Sequence, residues 1–186
     1  LVGLSLAYLV IAGSLGPPDT LDRAYPFLDR KRVAFGFPDI LFGPGDAYVR
    51  LIQRQDETGA DVVLGLHVIE DPTVWDMVDC DEDGRVRALV MKPVSTTLTY
   101  GWCCAVWTPR FTTFLHDFLR ADETKRNLSR LANTANDPGG DLAVGVVLQA
   151  ALKAGLAVQS VKFPGERYLD IGTPERLAAL NARLRA

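Results

Sequence analysis

DVVLGLHVI, residues Asp61–Ile69, is the most informative stretch for the architecture of this chain. The run is continuously apolar rather than alternating, which is typical of a strand buried on both faces of a sheet. Arg32–Phe37 and Leu4–Ala12 are similar runs, and segments of helical periodicity lie between them. This order predicts an α/β fold with a doubly wound, mostly parallel, Rossmann-like sheet. No linker or repeat divides it, so residues 1–186 are expected to form one domain.

Helix signals flank these strands at several points. Asp19 or Thr20 could cap a short helix that runs through Phe27, since both side chains accept from free backbone N–H groups. The remaining predicted helices span 46–57, 109–119, 142–153 and the segment that starts at Thr173-Pro174.

The middle of the chain predicts a small β excursion from Met77 to Trp107. An acidic turn, Asp81–Gly84, separates two β runs and indicates a hairpin. Further strands are expected at 100–107, 158–163 and 168–170. The polar segment 120–140 is the best candidate for a mobile loop.

Composition excludes several classes of protein. The chain has 186 residues, a net charge of −3 and 48% apolar residues, as in an ordinary globular domain. This charge argues against a nucleic-acid partner, and no apolar run approaches the ~20 residues of a membrane span. Three cysteines cannot make a disulfide framework, so buried reduced thiols and a cytoplasmic location are expected.

The chain begins at Leu1 in an apolar stretch, without Met and without the basic start of a signal peptide. We expect an N-terminal part of a longer protein to be missing. A natural short protein whose initiator has been removed is the alternative.

Two carboxylates are placed where a metal could bind. Asp39 follows a predicted buried strand in FGFPDILF, and Asp170 ends a short strand in YLDIGTPE. Ligands of open α/β sheets bind beyond the carboxyl ends of strands, and hard cations prefer oxygen ligands. The alternatives are a turn residue for Asp39 and a helix-cap helper for Asp170.

Other residues carry weaker signals. Lys92, in VMKPV, could meet a phosphate as a point charge, although an exposed lysine is the commoner fate. The loop 13–20, GSLGPPDT, could lie against a flat ligand but lacks the ending of a P-loop. Residues expected to be structural are His67, His116, Cys103, Cys104, Trp102 and Trp107.

Taken together, these pieces resemble the sugar-1-phosphate nucleotidyltransferases, in particular the glucose-1-phosphate thymidylyltransferase branch. The order is a Gly/Pro loop with Asp19-Thr20-Leu21, then Asp39, the acidic hairpin, Lys92-Pro93 and an aromatic strand. LDIGTPE, within 169–175, is the most specific piece. The resemblance runs over essentially the whole chain.

The resemblance implies transfer of a nucleotidyl group from a nucleoside triphosphate, dTTP, to a sugar 1-phosphate, glucose 1-phosphate, with release of pyrophosphate. Asp39 and Asp170 would hold Mg²⁺ and act in catalysis together with Lys92. Gly16, Thr20 and Leu21 would pack on the base. The resemblance further implies a role in nucleotide-sugar and polysaccharide biosynthesis and a homo-oligomer.

Departures from the family pattern concern the triphosphate and the sugar. Nothing matches the family's Gly-rich, Arg-containing loop, so this chain alone is expected to bind without turnover. Met91 stands where an acid usually precedes Lys-Pro, and Trp75-Asp76 stand where Tyr-Gly is common. Pro38 replaces a Gly, and 141–145 lacks the usual Glu-Ile-Thr-Asp. The identity of the sugar is therefore in doubt.

Two alternatives remain open. A non-catalytic module that binds a nucleotide-sugar would explain Met91 and the missing loop together. A metal-dependent glycosyltransferase would use an Asp-x-Asp motif, and Asp79-Cys80-Asp81 has that spacing, although it lies at an acidic turn.

Overall fold

The computed structural model describes residues 5–121, 141–166 and 168–185. The helices are α1 (Pro17–Arg23), α2 (Tyr25–Leu28), α3 (Ala47–Thr58), α4 (Pro109–Arg120), α5 (Val144–Lys153) and α6 (Pro174–Arg185). The strands are β1 (Val33–Gly36), β2 (Ile40–Phe42), β3 (Val62–Val68), β4 (Asp76–Cys80), β5 (Val86–Met91), β6 (Tyr100–Trp107), β7 (Val158–Lys162) and β8 (Tyr168–Asp170).

The central sheet has the order β5-β4-β6-β3-β7, with β1 alongside β6. β3 and β7 pair in parallel, in a register that sets Val62 opposite Val158. β6 lies between β1 and β3 and runs antiparallel to both. β1, β3, β4 and β7 therefore share one direction, which confirms the doubly wound, mostly parallel α/β prediction, and β5 and β6 run in the opposite direction.

The core lies on both faces of β3 because successive side chains of a strand point to opposite faces. Val62, Leu64 and Leu66 pack in the larger cluster with α4 and α5. Val63 packs on the other face in a second cluster with α3, whose Leu51 is fully buried. The continuous apolar run of the sequence is thus explained by helices on both sides of the sheet.

The predicted hairpin and most helix ends are confirmed. β4 and β5 pair antiparallel around the acidic turn, where Gly84 adopts φ 78°. α3 ends at Gly59 with φ 65°, a conformation that glycine adopts without steric cost. Thr173 caps α6 by accepting a hydrogen bond from the Arg176 amide at 3.3 Å.

The strand predicted over Leu4–Ala12 is wrong for the described residues 5–12, which form no strand. Tyr8 is 86% exposed and Val10 is 96% exposed. An extended segment becomes a strand only when a neighbour satisfies its backbone, and none of the described strands pairs with this segment. Apolar character alone was therefore misleading here.

The start of α1 also differs from the prediction. The helix begins at Pro17, after an N-cap at Gly16, so Asp19 and Thr20 lie inside its first turn rather than at its cap. Proline is favoured at the first helical position, where its missing N–H costs nothing. The chain then turns at Ala24, so the predicted single helix through Phe27 is divided between α1 and α2.

β2 and β8 form a separate two-stranded antiparallel sheet that places Ile40 opposite Asp170. The predicted mobile loop lies almost entirely at 122–140, outside the described residues. In the part of the chain that the structure covers, no helix is long and apolar enough to cross a membrane.

Candidate functional site

A cavity of about 370 Å³ opens between the β1–β2 loop, β8, the start of β4 and the segment before α5. Its walls include Asp39, Asp170, Lys92, Asp76, Trp75 and Trp102. The first three residues of this list are the predicted catalytic and metal-binding residues. The structure thus brings side chains that lie as far apart as 39 and 170 in the sequence to one cavity.

The carboxylates of Asp39 and Asp170 converge on Gly172. An ideal Cβ on Gly172 would lie 2.5 Å from Asp39 Oδ2 and 3.2 Å from Asp170 Oδ1. Asp39 immediately precedes β2 and Asp170 ends β8, so the antiparallel pairing of these two short strands brings them together. The sequence predicts both acids at the carboxyl ends of strands; Asp170 is at such an end, whereas Asp39 directly precedes β2. Glycine at 172 leaves open the space between the two carboxylates.

The two acids differ in their surroundings. Asp170 Oδ1 accepts a hydrogen bond from the Gly172 amide at 2.9 Å, and Asp170 Oδ2 pairs with the guanidinium of Arg176. Asp39 is exposed, and within the described residues its carboxylate has no hydrogen bond or ion pair. Arg176, which the sequence reasoning missed, therefore neutralises one of the two predicted metal ligands.

The two acids are better suited to hold Mg²⁺ together with substrate phosphates than to hold a metal ion with protein side chains alone. No group of three or more His, Cys, Asp or Glu side chains that could hold a metal occurs in the described parts of the chain. Mg²⁺ is commonly held by one or two carboxylates together with substrate phosphates. Because Asp39 Oδ2 and Asp170 Oδ1 lie 2.5 Å and 3.2 Å from the same ideal Cβ position, they are at most about 6 Å apart. Oxygens around one divalent cation are about 3 to 5 Å apart, so the two side chains could share one ion.

Lys92 follows β5 directly and has an unusual backbone. Its φ is 39°, in the left-handed region that non-glycine residues rarely adopt, and its amide donates to the Trp75 carbonyl at 3.1 Å. Such strain costs about 1 to 3 kcal/mol and tends to occur at functional sites. The side chain is partly buried at the cavity rather than fully solvated.

None of the three residues predicted to pack on the base lines the cavity itself. Gly16 adjoins the cavity through Pro17, which lines it. Thr20 lies on α1, where its hydroxyl pairs with that of Ser14 at 2.8 Å. Leu21 packs against the larger core cluster and does not line the cavity.

Asp76, at the start of β4, is one of the cavity residues that the sequence did not single out as a site residue. It lies directly opposite Met91 in the β4–β5 ladder, so two of the departures from the family pattern face each other. The Trp102 indole and the Lys92 charge both favour the ionised form of the Asp76 carboxyl and so lower its pKa. The signal available in the sequence was the Trp75-Asp76 pair itself.

Burial raises the pKa of Asp76 above its usual range, and the nearby Trp102 indole and Lys92 charge only partly oppose that rise. A raised pKa means that the folded state binds the proton more tightly than the unfolded state does. Ionisation of Asp76 therefore destabilises the fold, and this cost grows as the pH rises from about 4, where an unfolded aspartate titrates, through the raised pKa.

Asp76→Asn is accordingly expected to increase the free energy of unfolding at pH 7 by about 1 kcal/mol. The amide keeps the shape and the acceptor for Trp102 but carries no charge. Thermal unfolding from pH 3 to pH 8 should show the gain over the unaltered chain at neutral pH and its loss below about pH 4.

Asp79→Asn, on the same strand but outside the cavity, is the matched control for loss of one negative charge. Equal or lower stability of Asp76→Asn at neutral pH would contradict the cost assigned to the buried carboxylate.

The residues expected to be structural are in structural positions. His67 is fully buried and its Nε2 lies 2.7 Å from the Gly43 carbonyl oxygen. His116 Nδ1 lies 2.6 Å from Asp22 Oδ1, which ties α1 to α4. Trp107 Nε1 donates to Thr112 Oγ1 at 3.0 Å. Trp102 is 3% exposed, yet it also lines the cavity.

Cys103 and Cys104 are buried free thiols, and burial raises the pKa of Cys104 to about 12. Asp79-Cys80-Asp81 lies at the end of β4 and in the turn, where Asp81 Oδ1 accepts from the Arg85 amide at 2.9 Å. These residues do not line the cavity of Asp39, so the structure does not favour the Asp-x-Asp alternative.

No protein-family model matches the chain, and no curated protein matches it. Solved structures do match. A protein of Bacillus anthracis named as a candidate glucose-1-phosphate thymidylyltransferase, solved with a sucrose, superposes with a TM-score of 0.72 at 16% identity over 98% of this chain. UDP-glucose pyrophosphorylase from Acinetobacter baumannii gives 0.63 at 15% identity over 90% of this chain. The inositol-1-phosphate CTP transferase of T. maritima gives 0.64 at 19% identity over 92% of this chain.

The chain spans 66%, 55% and 61% of the lengths of these three proteins, respectively. The likeness extends over at least 90% of this chain in each case. The chain therefore has the fold of the sugar-1-phosphate nucleotidyltransferases.

Proposed function

We propose that this chain carries the sugar-phosphate and metal side of a sugar-1-phosphate nucleotidyltransferase site. The observation that supports it most is the convergence of Asp39, Asp170 and Lys92 on one cavity of this fold. The reaction joins a nucleoside triphosphate and a sugar 1-phosphate and releases pyrophosphate. Mg²⁺, dTTP and glucose 1-phosphate are the finer proposals, and they rest on the resemblance of the motifs.

The arrangement suits this chemistry because both reactants are anionic. A sugar-phosphate oxygen must approach an α-phosphate, and repulsion between them has to be offset. Mg²⁺ held by Asp39 and Asp170 would neutralise and orient the phosphates. Lys92, which lines the same cavity, would hold the sugar phosphate as a point charge. Positioning and charge stabilisation carry most of such reactions, so no covalent nucleophile is required.

The nucleotide is proposed to lie against the loop that carries Gly16. Thr20 and Leu21 would be neighbours of the base, although neither lines the cavity in this structure. A homo-oligomer and a cytoplasmic location also remain proposals.

The binding of glucose 1-phosphate and dTDP-glucose, followed by isothermal titration calorimetry with and without Mg²⁺, tests the function. We expect both ligands to bind, and Lys92→Ala to lower the affinity for glucose 1-phosphate about 10- to 100-fold, the worth of a charge-assisted contact. Lys31→Ala, at an exposed position, is the matched control. Failure of every sugar 1-phosphate and nucleotide-sugar to bind would refute the proposal.

A nucleotide-sugar-binding module without turnover is the second candidate. The ion pair between Arg176 and Asp170 favours it because it neutralises one of the two proposed metal ligands. The two candidates differ in their dependence on metal: tight binding of dTDP-glucose that is unchanged by Mg²⁺ would indicate the module.

A further inference from the structure

Asp76 is a partly buried carboxylate on the wall of the cavity, and the proposed transfer of a nucleotidyl group makes no use of it. Burial raises the pKa of this carboxyl, so its ionised form carries a cost in the folded state at neutral pH. Its chemistry and its neighbours indicate what it could recognise.

The position of the carboxylate is tightly defined by the backbone. An ideal Cβ on Gly145 would lie 2.2 Å from Asp76 Oδ2 and 2.9 Å from its Cγ. The carboxylate therefore occupies the space that a side chain would take in the first turn of α5. The partial positive charge at that helix end favours an anion there. Asp76 is held by this contact and by its place opposite Met91 at the start of β4.

The carboxylate keeps capacity to accept further hydrogen bonds. Its two oxygens offer about four acceptor positions, of which the nearby indole N–H of Trp102 could use at most one. Lys92 contributes charge from the same wall. The remaining acceptor positions suit neutral hydrogen-bond donors. An anionic group would be repelled by the carboxylate, and Lys92 already provides a positive charge there.

Aromatic side chains line the same cavity. Phe37 and Trp102 both line the cavity, and their ring centroids are 5.6 Å apart. Trp75, the neighbour of Asp76, contributes a third ring to the wall. Apolar walls with a few fixed polar groups are typical of small-molecule sites. A sugar ring fits this combination because it presents C–H groups on its faces and hydroxyls at its edge.

We propose that Asp76 determines which sugar is bound, by accepting hydrogen bonds from two neighbouring hydroxyls of the sugar 1-phosphate. The inference rests on the proposed function and specifies its sugar subsite. Lys92 binds the phosphate, and Asp76, on the adjacent strand, binds the far edge of the ring. The metal-binding acids are not involved in this selection.

The first experiment needs no variant. Titration calorimetry compares glucose 1-phosphate with its 2-deoxy, 3-deoxy and 4-deoxy analogues on the unaltered chain. Two analogues modified at adjacent positions are expected to bind at least about tenfold more weakly, since removal of one partner leaves a buried acceptor unsatisfied. Equal affinity for all four ligands would overturn the proposal.

The second experiment repeats the series with Asp76→Asn, after a thermal melt has shown that it folds, and with Asp79→Asn as the control. The discrimination among the four ligands should shrink to less than about threefold in Asp76→Asn and persist in Asp79→Asn. Full discrimination by Asp76→Asn would overturn this inference and leave the proposed function standing. Failure of the unaltered chain to bind any of the sugar phosphates would refute both.

Discussion

Asp39→Asn and Asp170→Asn are each expected to lower the Mg²⁺-dependent affinity for dTDP-glucose by about 100-fold. Each change keeps the size of the side chain but removes one of two charges that converge on the space beside Gly172. A hard cation held by only two carboxylates depends strongly on each of them. Titration calorimetry of dTDP-glucose at fixed Mg²⁺, compared with titration in EDTA, measures the effect.

Substitution of Arg176 is a control that should change the Mg²⁺ dependence of binding in the opposite direction. Its guanidinium pairs with Asp170 Oδ2, so Arg176→Gln should strengthen the Mg²⁺ dependence by leaving both carboxylates unneutralised. Asp83→Asn, in the exposed hairpin turn, controls for the change in net charge. An unchanged Mg²⁺ dependence in Asp39→Asn would refute the metal assignment. The carboxylate of Asp39 has no hydrogen-bond or ion-pair partner among the described residues, so the lack of an effect could not be attributed to such a partner.

The architecture could be predicted because it rests on long, local patterns. The run at 61–69 became β3, buried on both faces, and the acidic turn became the β4–β5 hairpin. Such patterns indicate which residues are buried, and burial in turn determines where the strands and helices lie. The antiparallel insertion of β6 was not predicted, because strand direction depends on which neighbour a strand finds rather than on its own composition.

The apolar run at 5–12 shows the limit of the same reasoning. Its composition predicts a strand, but a strand also needs a partner for its backbone, and none of the described strands provides one. Composition records only a tendency to be buried.

The sequence singled out three of the residues that line the cavity for a related reason. Asp39, Lys92 and Asp170 stand in recognisable motifs, and the structure brings them to one cavity. Arg176 and Asp76 were missed because their roles arise from contacts between distant segments. Asp76 meets Gly145 and Trp102, which lie on other elements, and no spacing along the chain reports such a meeting.

Gly16→Ala is expected to destabilise the chain by about 3 kcal/mol, the combined scale of backbone strain and overpacking. Gly16 adopts φ 129°, which L side chains rarely adopt, and an added Cβ would lie 2.4 Å from the carbonyl oxygen of Leu142. That backbone cannot easily move, because Leu142 is fully buried and its amide donates to the Leu15 carbonyl at 2.8 Å. A thermal melt should show a fall of about 10 °C.

Gly13→Ala, in the same loop, is the matched control because nothing lies within 4 Å of its added Cβ. Its effect on stability should stay within about 0.5 kcal/mol. The loop contact also sets one wall of the cavity, since Pro17 and Leu142 both line it. Gly16→Ala should therefore weaken the binding of dTDP-glucose even at temperatures where the variant is fully folded. A Gly16→Ala variant as stable as Gly13→Ala would show that the loop does not pack against Leu142 as described.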